Sequence, residues 1–201
     1  MSLMAHMQNK SKEPVLILAS ASPRRSQLLK QAGIPFHAIP SEAEEIVEDD
    51  PEDMVLRNAR LKAESVALAH PQRLVLGSDT TVALGRRTFG KPKDIGEAKQ
   101  MLGELSGKTH TVYTAVALVK STPSGLKSSS GICASKVSFK KLDAAAIDRY
   151  LEKVNVLDKA GAYAAQECAD MIIEKIDGPF DNVMGLPIST VKELLKNTNF
   201  R

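Results

Sequence analysis

Tryptophan is absent from this 201-residue chain, and phenylalanine and tyrosine bring the aromatic share to only 4%. A platform that stacks nucleic-acid bases on aromatic rings is therefore poorly supplied. Charge of one sign is lacking too. Lys and Arg number 27 against 24 Asp and Glu, and the resulting +3 is too small an excess to mark a nucleic-acid binder. No apolar run reaches the roughly 18–20 residues that span a bilayer. The opening stretch MSLMAHMQNKSKEP contains no apolar secretory core, so export by a signal peptide is not expected. The two cysteines, Cys133 and Cys168, have no metal-ligand spacing and are too few for a disulfide framework. They are expected to be reduced thiols in a cytoplasmic protein. No repeat or low-complexity linker divides the chain. What remains is ordinary globular stock, 43% apolar and 25% charged, which excludes disorder and suffices for a sizeable core. A flexible N-terminus over residues 1–13 and a single domain over residues 14–201 are expected.

The pattern along the chain mixes strands and helices. Val15 to Ala19 is a short apolar run of the kind a buried strand shows. It leads into Ser22 as a natural N-cap, Pro23 at the first helical position, Leu28, Leu29 and Ala32 on one face, and Gly33 as the stop. Asp50-Pro51 opens a second helix to about Ala69, with Val55, Ala59, Lys62, Val66 and Ala69 on one stripe. Leu74 to Leu76 begin a strand, and Gly77-Ser78-Asp79-Thr80-Thr81 follows at its end. Asp94 and Glu97 form a capping pair ahead of a third helix with Ala98, Met101, Leu102 and Leu105 inward, closed by Gly107. Thr111–Val119 reads as a strand, turned at 123–125 into a second around Ile132–Phe139. A helix over about 144–154, a strand over Met171–Ile176 and a closing helix opened by Pro187 complete the pattern. The fold class is α/β with a mixed, partly antiparallel sheet flanked by helices.

Several residues stand out chemically. Ser20-Ala21-Ser22-Pro23-Arg24-Arg25 lies between a strand and a helix start, where free N–H groups, hydroxyls and two guanidiniums can gather a phosphate chain. The same residues also describe an ordinary helix cap followed by solvated arginines. It is not a Walker A loop, because the Gly-Lys-Ser/Thr ending is missing. Asp79, at a strand end, can accept a proton from water or hold a divalent cation, and it can equally be a turn residue bonded to its own backbone. Lys62 on an apolar stripe needs a partner such as Asp79 or a phosphate, or else snorkels to solvent. Lys91 in Gly90-Lys91-Pro92 is a further phosphate candidate or a solvated lysine. The acidic stretch Glu42, Glu44, Glu45, Glu48, Asp49, Asp50 is a solvated loop or supplies one or two carboxylates to Mg²⁺. Gln166 is a polar loop residue or a reader of a base edge. His37, His70 and His110 lack zinc-helix spacing, and no nucleophile elbow is present.

Taken together, Leu18–Arg25, Gly77–Val82, Gly90-Lys91-Pro92, Leu105–His110, Asp158–Tyr163 and Val183–Pro187 resemble the Maf family in order and over nearly the whole chain. The resemblance implies a Maf/ITPase-like fold with an active-site cleft between two lobes. It also implies a cytoplasmic nucleoside triphosphate pyrophosphatase that cuts between the α and β phosphates with a divalent metal, Mg²⁺ or else Mn²⁺ or Co²⁺. Carried onto this chain, it makes Ser20, Arg24, Arg25, Lys62 and Lys91 phosphate contacts and Asp79 the proton acceptor for water. Glu45, with Glu44 beside it, and Asp79 become the metal ligands.

Arg24, Thr80 and Gln166 match the branch of the family acting on dTTP and UTP. The 7-methyl-GTP branch carries Trp, Gln and Glu at those positions. An amide donates and accepts, suiting a pyrimidine, whereas a carboxylate only accepts and suits guanine's donor edge. Glu167-Cys168-Ala169 departs from the family's glycine-containing turn, and Ser78 and Thr81 replace residues common beside the aspartate. The rival readings are the same reaction on 7-methyl-GTP or a modified pyrimidine nucleotide, and a non-catalytic nucleotide- or DNA-binding regulator of septum formation. Basic pairs Arg86-Arg87 and Lys140-Lys141 favour the regulator, and an intact Asp79 opposes it. A small-molecule nucleotide and a homodimer partner are expected, without membrane or nucleic acid.

Overall fold

Residues 16–47, 50–197 and 200 are described by the computed structural model, and the expected N-terminal tail, Glu48 and Asp49 lie outside them. Strand β1 (Leu16–Leu18) is buried throughout and leads into α1 (Pro23–Gln31). Ser22 takes the N-cap position but makes no side-chain cap bond, and its N–H donates to Ser20 Oγ at 3.2 Å. A short β2 (Phe36–Ala38) follows, then α2 (Pro51–Ala69), capped by the Asp50 carboxylate on the Glu52 and Asp53 N–H groups. Next come β3 (Leu74–Leu84), β4 (Arg87–Phe89) and α3 (Ile95–Leu105), the last capped by Asp94 on the Glu97 N–H. The hairpin strands β5 (Thr109–Thr122) and β6 (Gly125–Phe139) both extend past the apolar runs that announce them, because their ladder continues to the turn. Then α4 (Ala144–Leu151), a 3-10 turn Ala160–Ala162, α5 (Ala169–Ile172), β7 (Ile173–Asp177), α6 (Phe180–Val183) and α7 (Ile188–Asn197) end the described chain.

The sheet has seven strands in the order β2-β1-β3-β5-β6-β7, with β4 also on β3. The β1–β2 and β1–β3 pairs are parallel and the others antiparallel, giving the mixed α/β sheet. One correction concerns Asp79. Strand β3 does not end before it, because the antiparallel ladder to β5 runs from Leu74 to Ala83 and carries Gly77, Ser78 and Asp79 as ordinary ladder residues. On its other edge, β3 pairs with β1 only over Leu74–Leu76 and with β4 only over Val82–Leu84. Between them, residues 77–81 have no strand neighbour on that edge among the described residues. Asp79 is thus a mid-strand residue at a gap in the sheet.

Three apolar clusters surround this gap. Helix α2 packs Val55, Ala59 and Ala63 against Ile17, Val75 and Ala117 on one sheet face. On the other face, α1 and α7 bring Leu28, Leu29 and Leu194 against Leu18, Leu76 and Leu118. Helices α3 and α4 build the third cluster at the far end, with Leu102, Leu105 and Tyr150 against Val82, Phe89 and Phe139. The first two clusters make one lobe and the third makes the other. Gly77 sets how closely α2 lies on β3, since a Cβ there would stand 2.1 Å from the Ala59 carbonyl oxygen and 2.8 Å from the Ala63 nitrogen. Side chains two apart on a strand share a face, so this approach also brings α2 within reach of Asp79.

Candidate active site

The gap opens into a cavity of about 390 Å³ between the lobes. Its lobe-one wall begins where β1 passes into α1. Buried Ser20 accepts from the Ser22 N–H and from Arg25 Nη1, both at 3.2 Å. Arg25 also donates from Nε to the Gly185 carbonyl at 2.9 Å and from Nη2 to Thr80 Oγ1 at 3.2 Å. Gly185 has φ of +102°, and a Cβ there would lie 3.2 Å from Thr80 Oγ1, so glycine is what lets this carbonyl reach the guanidinium. Desolvation lowers the Arg25 pKa, outweighing the Asp79 and Glu45 carboxylates that raise it. The group stays charged at any physiological pH.

Arg24 reaches across the cleft instead. Its Nη1 lies 2.7 Å from Asp158 Oδ2 and its Nη2 donates to the Asp158 carbonyl at 3.3 Å. Asp158 Oδ1 accepts from Lys159 Nζ at 2.9 Å. Burial pushes the Asp158 carboxyl up, but hydrogen bonds from Lys159 and Arg24 outweigh it and hold the group below the usual range.

The centre of the site is Lys62 with two carboxylates. Its ammonium lies 2.6 Å from Asp79 Oδ1 and 2.7 Å from Glu45 Oε1. The lysine on the apolar stripe thus has partners and does not snorkel. Lys62 itself stands at the stripe's edge, and Ala69 is exposed because the buried face runs through Met54, Val55, Asn58, Ala59, Ala63, Val66 and Ala67. Asp79 is buried, and its Oδ2 has a weaker contact of 3.4 Å from Asn58 Nδ2. The turn reading of Asp79 does not hold, since the residue is in a ladder and its oxygens face α2. Burial raises the half-exposed Glu45 carboxyl, while the Lys62 hydrogen bond and the charges of Lys62, Lys91 and Arg25 together bring it below its ordinary value.

Lys91 is exposed on the cavity wall and makes no hydrogen bond or ion pair among the described residues. The adjacent Gly90 carbonyl accepts from the Gly161 N–H at 3.0 Å and ties the two lobe-two loops together. Thr80 turns its hydroxyl to Arg25 in the cavity. Because the Thr114 proton goes to the Asn182 carbonyl at 2.9 Å, Thr80 donates to Thr114 Oγ1 at 3.1 Å while accepting from Arg25. Gln166 stands exposed on the cavity rim and donates to Glu167 Oε1 at 3.1 Å. After it, Cys168 adopts φ of +50° and provides the left-handed turn that a glycine would otherwise make. Tyr163 lines the cavity from the core side, with its hydroxyl 2.9 Å from buried His110 Nε2. Desolvation lowers the His110 pKa to about 4 and raises that of Tyr163, so both are neutral at pH 7.

Ser20, Arg24, Arg25, Glu45, Lys62, Asp79, Thr80, Lys91 and Gln166 therefore line one cavity, although they come from six separate segments. Glu44 is exposed and lines neither this cavity nor the adjoining one of about 480 Å³. Among the described residues, no group of three or more His, Cys, Asp or Glu side chains could hold a metal ion. Sequence reasoning gave no role to Asn58, Thr114, Asp158 or Lys159. The block Asp158–Tyr163 carried the only available signal for the last two, and nothing local distinguishes Asn58.

The model of the Maf-like protein family matches residues 15–198 of the chain. A dTTP/UTP pyrophosphatase of Akkermansia muciniphila is 45% identical over 190 residues, covering 94% of this chain and 98% of its own. Proteins of the same name from Syntrophus aciditrophicus and Thermotoga maritima are 42% and 44% identical, over 90% of this chain and 89% and 87% of theirs.

Proposed function

This chain belongs to the Maf family, and we propose that it is a nucleoside triphosphate pyrophosphatase that hydrolyses dTTP and UTP to the monophosphate and pyrophosphate. One observation carries the reading. The Asp79 carboxylate shares a single cavity with the cations of Arg24, Arg25, Lys62 and Lys91. Such cations neutralise a triphosphate, and Asp79, paired with Lys62 through Oδ1, keeps a second carboxylate oxygen that phosphate binding alone does not need and that can take a proton from water.

In this reading the triphosphate lies along Ser20, Arg24 and Arg25 at the head of α1, with Lys62 and Lys91 closing on it from both lobes. Asp79 Oδ1 is engaged by Lys62, whereas Oδ2 keeps lone pairs for a water. That oxygen takes the proton as the water oxygen attacks phosphorus. The bond between the α and β phosphates breaks, pyrophosphate leaves with the bridging oxygen, and Asp79 returns its proton to solvent. Arg25 is held on three sides before substrate arrives, so little reorganisation is required of it.

The donor set fits a divalent cation, because Glu45 and Asp79 face one another across the Lys62 ammonium, which would turn to a phosphate and leave the two carboxylates to the metal, and Mg²⁺ commonly uses one or two carboxylates plus waters and phosphates. Glu45 and Asp79 would hold Mg²⁺, Mn²⁺ or Co²⁺, which when bound would neutralise phosphate charge and polarise the scissile bond. Glu44 lies apart from that position.

Gln166 at the rim is the base reader, its amide pairing with a pyrimidine's carbonyl and ring N–H. Thr80 enters specificity through Arg25. One residue of each basic pair is engaged within the chain, which supports a reading without nucleic acid. Arg87 is paired with Glu104 at 2.8 Å, and Lys140 donates to the Asp170 carbonyl. A cytoplasmic location is part of the proposal. It is supported by the free thiols Cys133 and Cys168, and among the described residues no helix is long and apolar enough to cross a membrane.

The test is pyrophosphate release with Mg²⁺ from dTTP, UTP, CTP, GTP and 7-methyl-GTP. Turnover of dTTP and UTP above the others is expected. Preference for 7-methyl-GTP would discard the base assignment, and no turnover from folded protein would discard the reaction.

A further inference from the structure

Asn58 is buried among apolar neighbours on α2, where an amide has no helical use. It spends its hydrogen bonds on one residue of the irregular segment before α2. Its Oδ1 accepts from the Ile46 N–H at 2.7 Å, and its Nδ2 donates to the Ile46 carbonyl at 2.9 Å. This two-point grip holds the residue next to Glu45 as a neighbouring strand would. The other Nδ2 proton points to Asp79 Oδ2 at 3.4 Å. One amide therefore touches both the segment that carries Glu45 and the carboxylate of Asp79.

The grip has support along the helix. Residues 58, 62 and 65 follow at spacings of four and three and so share one face. Lys62 holds Glu45, and Ser65 Oγ lies 2.8 Å from Ser41 Oγ at the start of the same segment. The Lys62 contact is an ion pair to a half-exposed side chain and the Ser41 contact is exposed, whereas the paired bonds to Ile46 start from a buried amide and are themselves part-buried. A geometrically paired set of hydrogen bonds from a buried amide defines position better than single exposed contacts. The segment also separates two cavities, because Glu45 and Asp79 line both and Ile46 and Asn58 line the second.

We propose that Asn58 is a positioning residue that fixes Glu45 beside Asp79, so that the divalent cation of the reaction is held through it while the phosphate wall of Ser20, Arg24 and Arg25 is independent of it. The proposal rests on the pyrophosphatase reading above. It separates the site into a phosphate half built on α1 and a carboxylate half whose spacing is set from α2.

The experiment compares the full-length wild-type chain with Asn58→Leu, which keeps the branched side-chain skeleton and lacks the amide. Mn²⁺ binding is measured by calorimetry and electron paramagnetic resonance in the presence of α,β-imido-dUTP, and binding of that analogue is measured without metal. Removing a group that orients a metal ligand is expected to weaken Mn²⁺ binding about 10–100-fold and lower kcat on dTTP similarly. Analogue binding without metal should be unchanged. Ile46→Pro removes the 2.7 Å bond from the segment's side, outside any helix or strand, and must give the same split even if Asn58→Leu does not fold. In a Glu45→Gln background the Asn58→Leu loss of Mn²⁺ affinity should vanish. Wild-type Mn²⁺ affinity in folded Asn58→Leu or Ile46→Pro would overturn the proposal, as would equal loss of analogue binding or additive losses with Glu45→Gln. Wild-type protein that turns over no nucleotide would refute the pyrophosphatase reading instead.

Discussion

Replacing Gly77 by alanine adds one methyl group, yet it should damage both the fold and the proposed chemistry. The new Cβ would stand 2.1 Å from the Ala59 carbonyl oxygen, 2.8 Å from the Ala63 nitrogen and 2.9 Å from the Ala63 Cβ. The first two are backbone atoms of α2, so no rotamer change relieves them. An ordinary contact begins near 3.4 Å, and the helix must retreat by about 1 Å. Overpacking of this kind costs about 1–3 kcal/mol, which for a chain of this size lowers Tm by about 2–12 °C. The same retreat carries Asn58 and Lys62 away from Asp79, whose contacts to them are now 3.4 and 2.6 Å. A misplacement of about 1 Å at reacting groups costs about 10²-fold in turnover. Thermal unfolding and kcat on dTTP, measured together, read both effects. Adding Ala63→Gly should not rescue either, because it leaves the 2.1 Å clash in place. A Gly77→Ala protein with unchanged Tm and kcat would refute the idea that this close approach sets the site.

Arg24→Ala should raise the KM for dTTP about 10–100-fold by removing a charge-assisted phosphate contact, while Tm hardly moves because the Asp158 partner is half exposed. An unchanged KM would remove Arg24 from the phosphate wall. Gln166→Glu should lower kcat/KM for dTTP and UTP by at least about tenfold relative to 7-methyl-GTP, with stability intact since the residue is exposed. An unchanged substrate profile would end its role as base reader. Buried His110 is neutral in the fold down to about pH 4 but charges near pH 6.5 when unfolded. Its contribution is thus complete above pH 6.5, and stability falls by about 3 kcal/mol as pH drops to 4. Urea unfolding at pH 7 and pH 4.5 should show a smaller difference in His110→Gln than in the wild type, and equal differences would show that His110 is not the group responsible.

The parts of this protein legible in the sequence are those decided locally. Asp50 and Asp94 make side-chain caps at the starts of their helices, and Pro23 and Pro51 sit in first turns. Lys62 on an apolar stripe was open to a partner or to snorkelling, and only the approach of Asp79 and Glu45 decides for a partner. The extent of β3 was hidden because glycine, serine and aspartate are poor strand residues, and the ladder to β5 overrides that preference. Strands β2 and β4, three residues each, are too short for a periodic pattern. Arg24 and Asp158 meet across 134 positions, which no local spacing shows. Asn58 looked like any polar helix residue, since only the approach of the segment around Ile46 gives its amide a purpose.

The central claim is that Asp79 takes the proton from the attacking water in a cavity whose cations hold the triphosphate. It is tested most directly by comparing Asp79→Asn with the wild type in a single assay of dTTP turnover and of α,β-imido-dUTP binding. The account predicts that the variant folds, binds the analogue and loses at least about 10²-fold in pyrophosphate release. Wild-type turnover by Asp79→Asn would contradict it.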